Sequence, residues 1–294
     1  MADDVSVVVV TWNAAGHVER CLDSVRGYET VVVDNGSTDG TPLLVRERFP
    51  GVTVVEQENR GMGGGNNAGI RATSKPYVLL LNSDTRVVAD GIDRIAAFAD
   101  THPRAAVVGP RLSNEDGSLQ RSVRGDPTTW RLATEYLFLR KLGPRTQALN
   151  AFYGGGFSHG EPRQVESLMG AALLVRRSAV EEVGLFDEDF FMFSEETDWL
   201  YRFRRAGWQV WFTPDAEVVH LGGASHGGRL YIENLRGILR FQLKNRSPRE
   251  AERTRRLLLW SLRLRALVFR GDRGDTYREG ARFLASGDVP ALLG

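Results

Sequence analysis

The chain has 294 residues, 42% of them apolar, enough to bury one large core with a smaller appendage; its formal net charge of +1 excludes an overall pull toward nucleic acid. One cysteine, Cys21, excludes an intramolecular disulfide and fits a reducing compartment. The acidic start runs into a strand without a signal-peptide pattern, and no apolar run nears the roughly 20 residues of a membrane-spanning helix, so a cytoplasmic protein is expected.

Val5–Val10 is a continuous β-branched run, the pattern of a strand buried on both faces. His17–Val25 carries Val18, Cys21, Leu22 and Val25 at helical spacing. Val31–Val33 predicts a second strand, Thr41–Phe49 a helix, Val52–Glu56 a strand and Asn66–Thr73 a helix. Tyr77–Leu81 predicts a fourth strand, Gly91–Asp100 a helix and Ala105–Val108 a strand. Such alternation builds an α/β fold with a mainly parallel sheet and helices on both faces. Ligands of such sheets bind beyond the carboxyl ends of the strands, which directs attention to Thr11-Trp12-Asn13, Asp34-Asn35 and Asn82-Ser83-Asp84.

From Pro110 the pattern loosens; polar Ser113–Gly125 and the glycine-rich Gly154-Gly155-Gly156 read as connection. Leu168–Val175 predicts a strand, Ser178–Val183 a short helix, Glu195–Ala206 a helix ended by Gly207, and Gln209–Phe212 a strand. After Arg229 the chain reads as helical to about Phe283. Between Arg229 and Arg282 stand 15 basic and 6 acidic residues, a local excess of nine that the rest of the chain offsets.

Several residues could carry chemistry. A carboxylate at Asp34 can accept the N3–H of uracil or thymine, or simply form a turn. Asp84 can hold Mg²⁺ or Mn²⁺ at a diphosphate, or cap a turn. Asn59–Asn67, rich in glycine around Gly64, reads as a loop that lets backbone approach a ligand. It matches neither the dinucleotide fingerprint nor a P-loop, which argues against dehydrogenases and P-loop kinases. Glu195, Glu196 and Asp198 crowd a helix start behind the aromatic run Phe190–Phe193, more acid than capping requires. An apolar wall of this kind raises a carboxyl toward the range a general base needs. His220 ends an apolar run before the loop Gly222–Gly228, which could fold over a ligand; a structural histidine is the plainer reading.

Together these segments resemble the family 2 glycosyltransferases, over about residues 5–245. The matching stretches are Val7–Asn13, Val33–Thr41, Leu80–Thr85, Met169-Gly170-Ala171, Gly184–Glu188 and Phe190–Arg202, in that order. The resemblance implies a GT-A, Rossmann-like fold: a mixed, mainly parallel sheet flanked by helices, with a C-terminal helical segment. Residues 1–110 would form a nucleotide-sugar-binding half, 111–228 an acceptor-binding and catalytic half, and 229–294 a basic helical segment.

The resemblance also implies roles. Thr11, Asn13, Asp34, Asn59, Gly64, Asn82 and Ser83 would hold the nucleotide, and Asp84 with His220 a divalent Mg²⁺ or Mn²⁺. Glu196 falls at the catalytic base, and Glu195, Asp198, Trp199, Gly170 and Ala171 lie on the acceptor side, with Arg202 as a partner for Asp198. Two positions depart from the pattern: Asn82 replaces the first Asp of Asp-x-Asp, and the base is Glu rather than Asp. The implied activity is inverting transfer from a UDP- or dTDP-linked sugar to a carbohydrate or lipid-linked acceptor, with no nucleic-acid partner. The Asn-x-Asp form beside Gly-Gly-Gly-Asn-Asn resembles bacterial rhamnosyltransferases, pointing to dTDP-rhamnose and cell-surface polysaccharide or glycolipid assembly. The alternatives are a UDP-sugar transferase of another pathway, a nucleotidyltransferase, or a non-catalytic sugar-nucleotide-binding protein. Leu257–Trp260, Leu262, Leu264 and Leu267–Phe269, interleaved with Arg263, Arg265 and Arg270, suit a helix in the headgroup plane on the inner face of the plasma membrane. They suit an ordinary packing helix equally well.

Overall fold

A computed structural model describes residues 4–222 and 228–293. The first half contains β1 (Val5–Thr11), α1 (Val18–Ser24), β2 (Glu29–Asp34), α2 (Thr41–Arg48), β3 (Thr53–Glu56) and α3 (Gly61–Arg71). There follow β4 (Tyr77–Asn82), β5 (Thr85–Val87), α4 (Gly91–Thr101), β6 (Ala105–Ser113), β7 (Leu119–Gln120) and β8 (Val123–Arg124). Next come α5 (Thr129–Tyr136), α6 (Gln147–Asn150), β9 (Arg163–Gln164), β10 (Ser167–Leu168), β11 (Ala172–Arg176) and α7 (Arg177–Val183). The last elements are α8 (Glu195–Arg205), β12 (Gln209–His220), α9 (Gly228–Asn245), α10 (Pro248–Val268), α11 (Gly271–Ala285) and α12 (Val289–Leu293). They divide into two compact units: residues 1–123, 158–189 and 199–222 in the first, and residues 124–157, 190–198 and 223–294 in the second.

The first unit is built on a mixed sheet of order β3-β2-β1-β4-β11-β6-β12-β5, with β7 added to β6 and β9 to β12. Strands β3, β2, β1 and β4 are parallel; β11 runs antiparallel to both β4 and β6. Every residue of β1 is buried, as the unbroken valine run predicts for a strand covered on both faces. Val5, Val7 and Val9 enter a core shared with Val18, Leu22 and Ile95 of the flanking helices, while Val8 and Val10 face α3. Each such buried side chain contributes about 1.5–3 kcal/mol. Because β1 is followed by β2 on one side and flanked by β4 on the other, the chain order reverses at β1, opening a crevice at the strands' carboxyl ends.

Three expectations are corrected. The glycine-rich stretch is not a loop: α3 starts at Gly61, with Asn59 Oδ1 accepting the Gly61 N–H at 3.0 Å. Its glycines serve close packing, since a Cβ on Gly65 would lie 2.7 Å from Val10 Cγ1 and one on Gly69 would overlap Val8. The strand expected over 168–175 breaks between β10 and β11, where the Met169 N–H donates to the Ser122 carbonyl at 2.8 Å. Strand β12 runs through Pro214 to His220, its ladder to β6 shifting register between Thr213 and Glu217, where proline has no N–H to give.

The second unit is helical. Helix α5, inside the stretch expected to be connection, is capped by Thr128, whose Oγ1 accepts the Arg131 N–H, and buries Leu132 and Tyr136. Helix α10 begins at a Ser-Pro signal: Ser247 Oγ accepts the Glu250 N–H at 3.2 Å and Pro248 occupies the first turn. Leu235, Leu239, Leu258, Leu262 and Leu284 close the core. Arg265 is buried beside it, donating at 2.9 Å to the Tyr136 and Glu135 carbonyls with its guanidinium 4.2 Å from the Phe138 ring centre.

Candidate active site

Register sets the first half of the site: Thr11 lies opposite Asp34, and Val10 opposite Asn82. Asp34 is 1% exposed. Its carboxylate accepts the Thr11 hydroxyl at 2.8 Å, the Ser37 N–H at 2.8 Å and the Ser37 hydroxyl at 2.5 Å. A carboxylate offers about four lone-pair sites, so one, on Oδ2, is left. Asn13 adopts a left-handed conformation, φ 49°, which asparagine tolerates. That turn lets its N–H reach Ser37 Oγ and its Oδ1 take the Thr38 N–H, both at 2.8 Å. Asn35 donates to the Gly61 carbonyl at 3.0 Å and accepts from Gln57 at 2.8 Å, tying β2 to β3 and α3. The ends of β1 and β2 are thus one rigid hydrogen-bonded knot, with Trp12 standing 60% exposed on it.

A second cluster forms at the end of β4. Asp84 Oδ1 lies 3.4 Å from His220 Nε2, brought there by the antiparallel pairing of His220 with Thr85. The other ring nitrogen, Nδ1, is 2.6 Å from Gln120 Oε1, and Gln120 Nε2 donates to Asn114 Oδ1 at 3.1 Å. That second bond fixes which way the Gln120 amide points, so its oxygen faces the histidine and Nδ1–H donates to it. Neutral His220 then carries its lone pair on Nε2, directed at the Asp84 carboxylate. Two acceptors facing each other repel unless a proton or a cation lies between them, so this donor set fits a divalent ion. With a proton between them instead of a cation, burial still opposes ionisation of Asp84, but the His220 hydrogen bond and the charges of His220 and His17 outweigh it and hold the carboxyl below its usual range. Among the described residues no third His, Cys, Asp or Glu completes a metal-binding group with this pair. Ser83 Oγ is 3.2 Å from His17 Nε2, and the Asn82 N–H donates to the Ala171 carbonyl at 3.0 Å, next to Gly170. Residues 223–227 of the expected covering loop lie outside the described residues.

Gly64 is buried inside α3, where a Cβ would lie 2.6 Å from Arg60 Cβ, so it stands in a helix and not in the expected loop. The neighbouring Asn67, which sequence reasoning passed over, is buried; its amide donates to the Phe186 carbonyl at 3.0 Å and to Glu188 at 2.9 Å. Its oxygen accepts the Phe186 N–H at 2.9 Å, so one side chain clamps the Leu185-Phe186-Asp187 turn to α3. Trp199 was expected on the acceptor side. It is 0% exposed, donates to the Gly184 carbonyl at 2.8 Å and lies against Phe186, and is therefore a core residue.

The acids sit in the second unit. Phe193 and Ser194 both adopt φ 68°, a costly left-handed pair that turns the chain into α8. Gly237 of α9 lies so close to this turn that a Cβ would overlap the Phe193 carbonyl. Glu195 and Glu196 follow at once, and on each the Oε2 atom is buried without a hydrogen-bond partner. Burial, then the charge of Glu196, pushes the Glu195 carboxyl well above the ordinary glutamate range. Burial raises Glu196 too, against backbone N–H groups at the helix start and the charge of Arg124. Asp198 is different. Fully buried, it takes Lys244 Nζ at 2.9 Å and the Asn245 amide at 2.8 Å, partners from α9 that anchor it. Arg202, expected as its partner, donates to the Val183 and Leu185 carbonyls.

Residues 6–184 match the family model described as Glycosyl transferase family 2. The chain belongs to that family. It is 34% identical over 244 residues to the N-acetylglucosaminyl-diphospho-decaprenol L-rhamnosyltransferase of Mycobacterium tuberculosis, covering 77% of this chain and 79% of the relative. Among solved structures it resembles the mannosyltransferase PcManGT of Pyrobaculum calidifontis, solved with GDP-Man and Mn²⁺, at TM-score 0.57 and 19% identity, covering 99% of this chain and 78% of that one. It also resembles residues 1–349 of S. aureus TarS, solved with UDP-GlcNAc, at TM-score 0.53 and 17% identity, covering 99% and 82%. This family 2 chain is therefore a glycosyltransferase of the GT-A type, with a curated rhamnosyltransferase among its relatives.

Proposed function

We propose that this glycosyltransferase moves rhamnose, with inversion, from a dTDP-linked donor to a hydroxyl of a lipid-linked sugar in the assembly of a cell-surface glycan. The observation that carries the sugar and acceptor is the likeness to the mycobacterial rhamnosyltransferase along 77% of the chain. Residues 1–110 serve the donor, 111–228 the acceptor and catalysis, and 229–294 the membrane surface on which a lipid-linked acceptor resides. Glu196, in carboxylate form, takes the acceptor hydroxyl proton as that oxygen attacks the anomeric carbon; the bond to the diphosphate oxygen breaks on the opposite face. A single displacement with one base inverts the centre. Asp84 and His220 would hold a divalent cation, which would supply positive charge against the departing nucleoside diphosphate. Asp34 offers its remaining lone pair to a pyrimidine N3–H, and the exposed Trp12 offers a face for the base. The direct test incubates the enzyme with dTDP-rhamnose, UDP-sugars or GDP-mannose, Mn²⁺ and a short polyprenyl-diphospho-N-acetylglucosamine. Rhamnosylated lipid is the expected product; transfer from GDP-mannose alone would overturn the donor assignment.

Two results follow at the donor site. UDP and dTDP raise the thermal midpoint more than GDP at equal concentration, because only a pyrimidine presents N3–H to Asp34 without needing a larger slot. Equal or greater stabilisation by GDP refutes this. Gln120→Leu removes the acceptor that holds the His220 tautomer, and Mn²⁺ affinity falls about 10–100-fold, the usual cost of losing such a supporting bond. Titration of free Mn²⁺ by electron paramagnetic resonance reads this without turnover, and unchanged affinity refutes the pair as the metal site.

A further inference from the structure

Helix α10 presents an unpartnered apolar strip. Trp260, Leu264, Leu267 and Val268 are 55–82% exposed, although their neighbours Leu258 and Leu262 are buried in the helical core. Spacings of four, three and one residues place the four side chains around one outward flank of the helix end. The flank extends onto a second chain segment. The Phe138 ring lies 6.0 Å from that of Phe269, which brings the turn after α5, with exposed Leu137 and Leu142, beside the end of α10.

Basic groups ring this strip. Arg249, Arg253 and Arg256 occupy the same helical face toward its start, and Arg263 lies over the Trp260 ring at 5.5 Å. Lys141, Arg270 and Arg273 are exposed at the other end. Arg253 and Arg256 are paired within the helix to Glu250 and Glu252, whereas Arg249, Arg263, Arg270 and Arg273 have no ion pair among the described residues. Apolar side chains beyond a collar of uncompensated arginines complement a surface with anionic headgroups above an acyl layer.

We propose that Trp260, Leu264, Leu267 and Val268 insert into the headgroup–acyl boundary of an anionic bilayer, with Arg249, Arg263, Arg270 and Arg273 as its electrostatic collar. The proposal deepens the membrane reading above by naming the face, and rests on that reading for its biological purpose. No helix among the described residues is long and apolar enough to cross a membrane. The full chain is sedimented with vesicles of 30:70 phosphatidylglycerol and phosphatidylcholine, and with phosphatidylcholine alone, at low salt. Wild type is expected to pellet with the anionic vesicles only. Leu264→Ser with Leu267→Ser, both solvent-facing and so without cost to the fold, stays in the supernatant. An arginine near such a surface is worth about fivefold in partitioning, so replacing Arg263, Arg270 and Arg273 by Ala lowers it on the order of a hundredfold. Stabilisation by dTDP and UDP is read on the same samples. Normal stabilisation with no pelleting refutes the bilayer face while leaving the donor reading intact. Equal pelleting of the serine variant also refutes it, as does a wild-type dimer in light scattering that the serine variant dissociates, which assigns the strip to a second copy.

Discussion

Glu196→Gln lowers turnover by about 10²–10⁴-fold and leaves donor affinity unchanged. The amide keeps the size and polarity of the side chain but cannot take the acceptor proton, and the donor-binding groups assigned above lie on other elements. Two neighbouring acids serve as internal controls. Glu195→Gln removes the like charge that accompanies burial, and it costs less turnover than Glu196→Gln. Full activity of Glu196→Gln with loss in Asp198→Asn would move the base to Asp198. The pH response follows from the direction of the shift. A base works as its carboxylate, and burial has raised Glu196, so kcat falls on acidification through a value above the ordinary glutamate range. Stability runs the other way. A raised carboxyl contributes stability that is fully present below the unfolded-chain value and is lost as pH rises through the folded one. Removing that titration, Glu195→Gln melts above wild type at about pH 8, and the gap closes toward about pH 4. A scanning-calorimetry series in which the gap widens on acidification would contradict the burial of this pair.

Asp198→Ala destabilises the second unit by about 3–5 kcal/mol, the range for breaking one side of a buried ion pair. Asp198 is fully buried, and its removal takes from Lys244 and Asn245 on α9 their bonds to it at 2.9 and 2.8 Å. Differential scanning fluorimetry should show a drop in melting midpoint on the order of 10 °C. Asp198→Asn, which keeps one oxygen and the shape, should drop it less and retain most of the turnover of its folded fraction. A midpoint within a degree of wild type for Asp198→Ala would show that the anchor carries no stability.

Much of the sheet was legible in the sequence because the buried strands β1 and β4 leave unbroken apolar runs, and β1 to β4 appear within a residue or two of the expected ends. The chemistry-bearing positions after β1, β2 and β4 were legible for the same reason, since topology alone directs them to one edge. What escaped depends on distant partners. Helix α3 hides behind poor intrinsic propensity, with five glycines in its length, and the close contact with Val10 and Val8 explains those at Gly65 and Gly69. Gln120 stands 100 residues from the histidine it orients, with nothing local to mark it. The anchoring of Asp198 depends on residues 46 and 47 positions later, which spacing within one helix cannot show. Trp199 was assigned by its neighbours in sequence, whereas the helix turns it inward among Phe186 and Phe203.

The strained turn at Phe193 and Ser194 has a bearing on where this enzyme can be cut. The family match ends at residue 184, ahead of the turn, while the contacts that hold the turn and its anchor come from Gly237, Lys244 and Asn245. Two adjacent left-handed residues persist only where their surroundings over-determine them. Without α9 the chain has every reason to relax there, carrying Glu196 with it. The helical tail is therefore a splint for the proposed base: a fragment ending before residue 228 is expected to lose transfer.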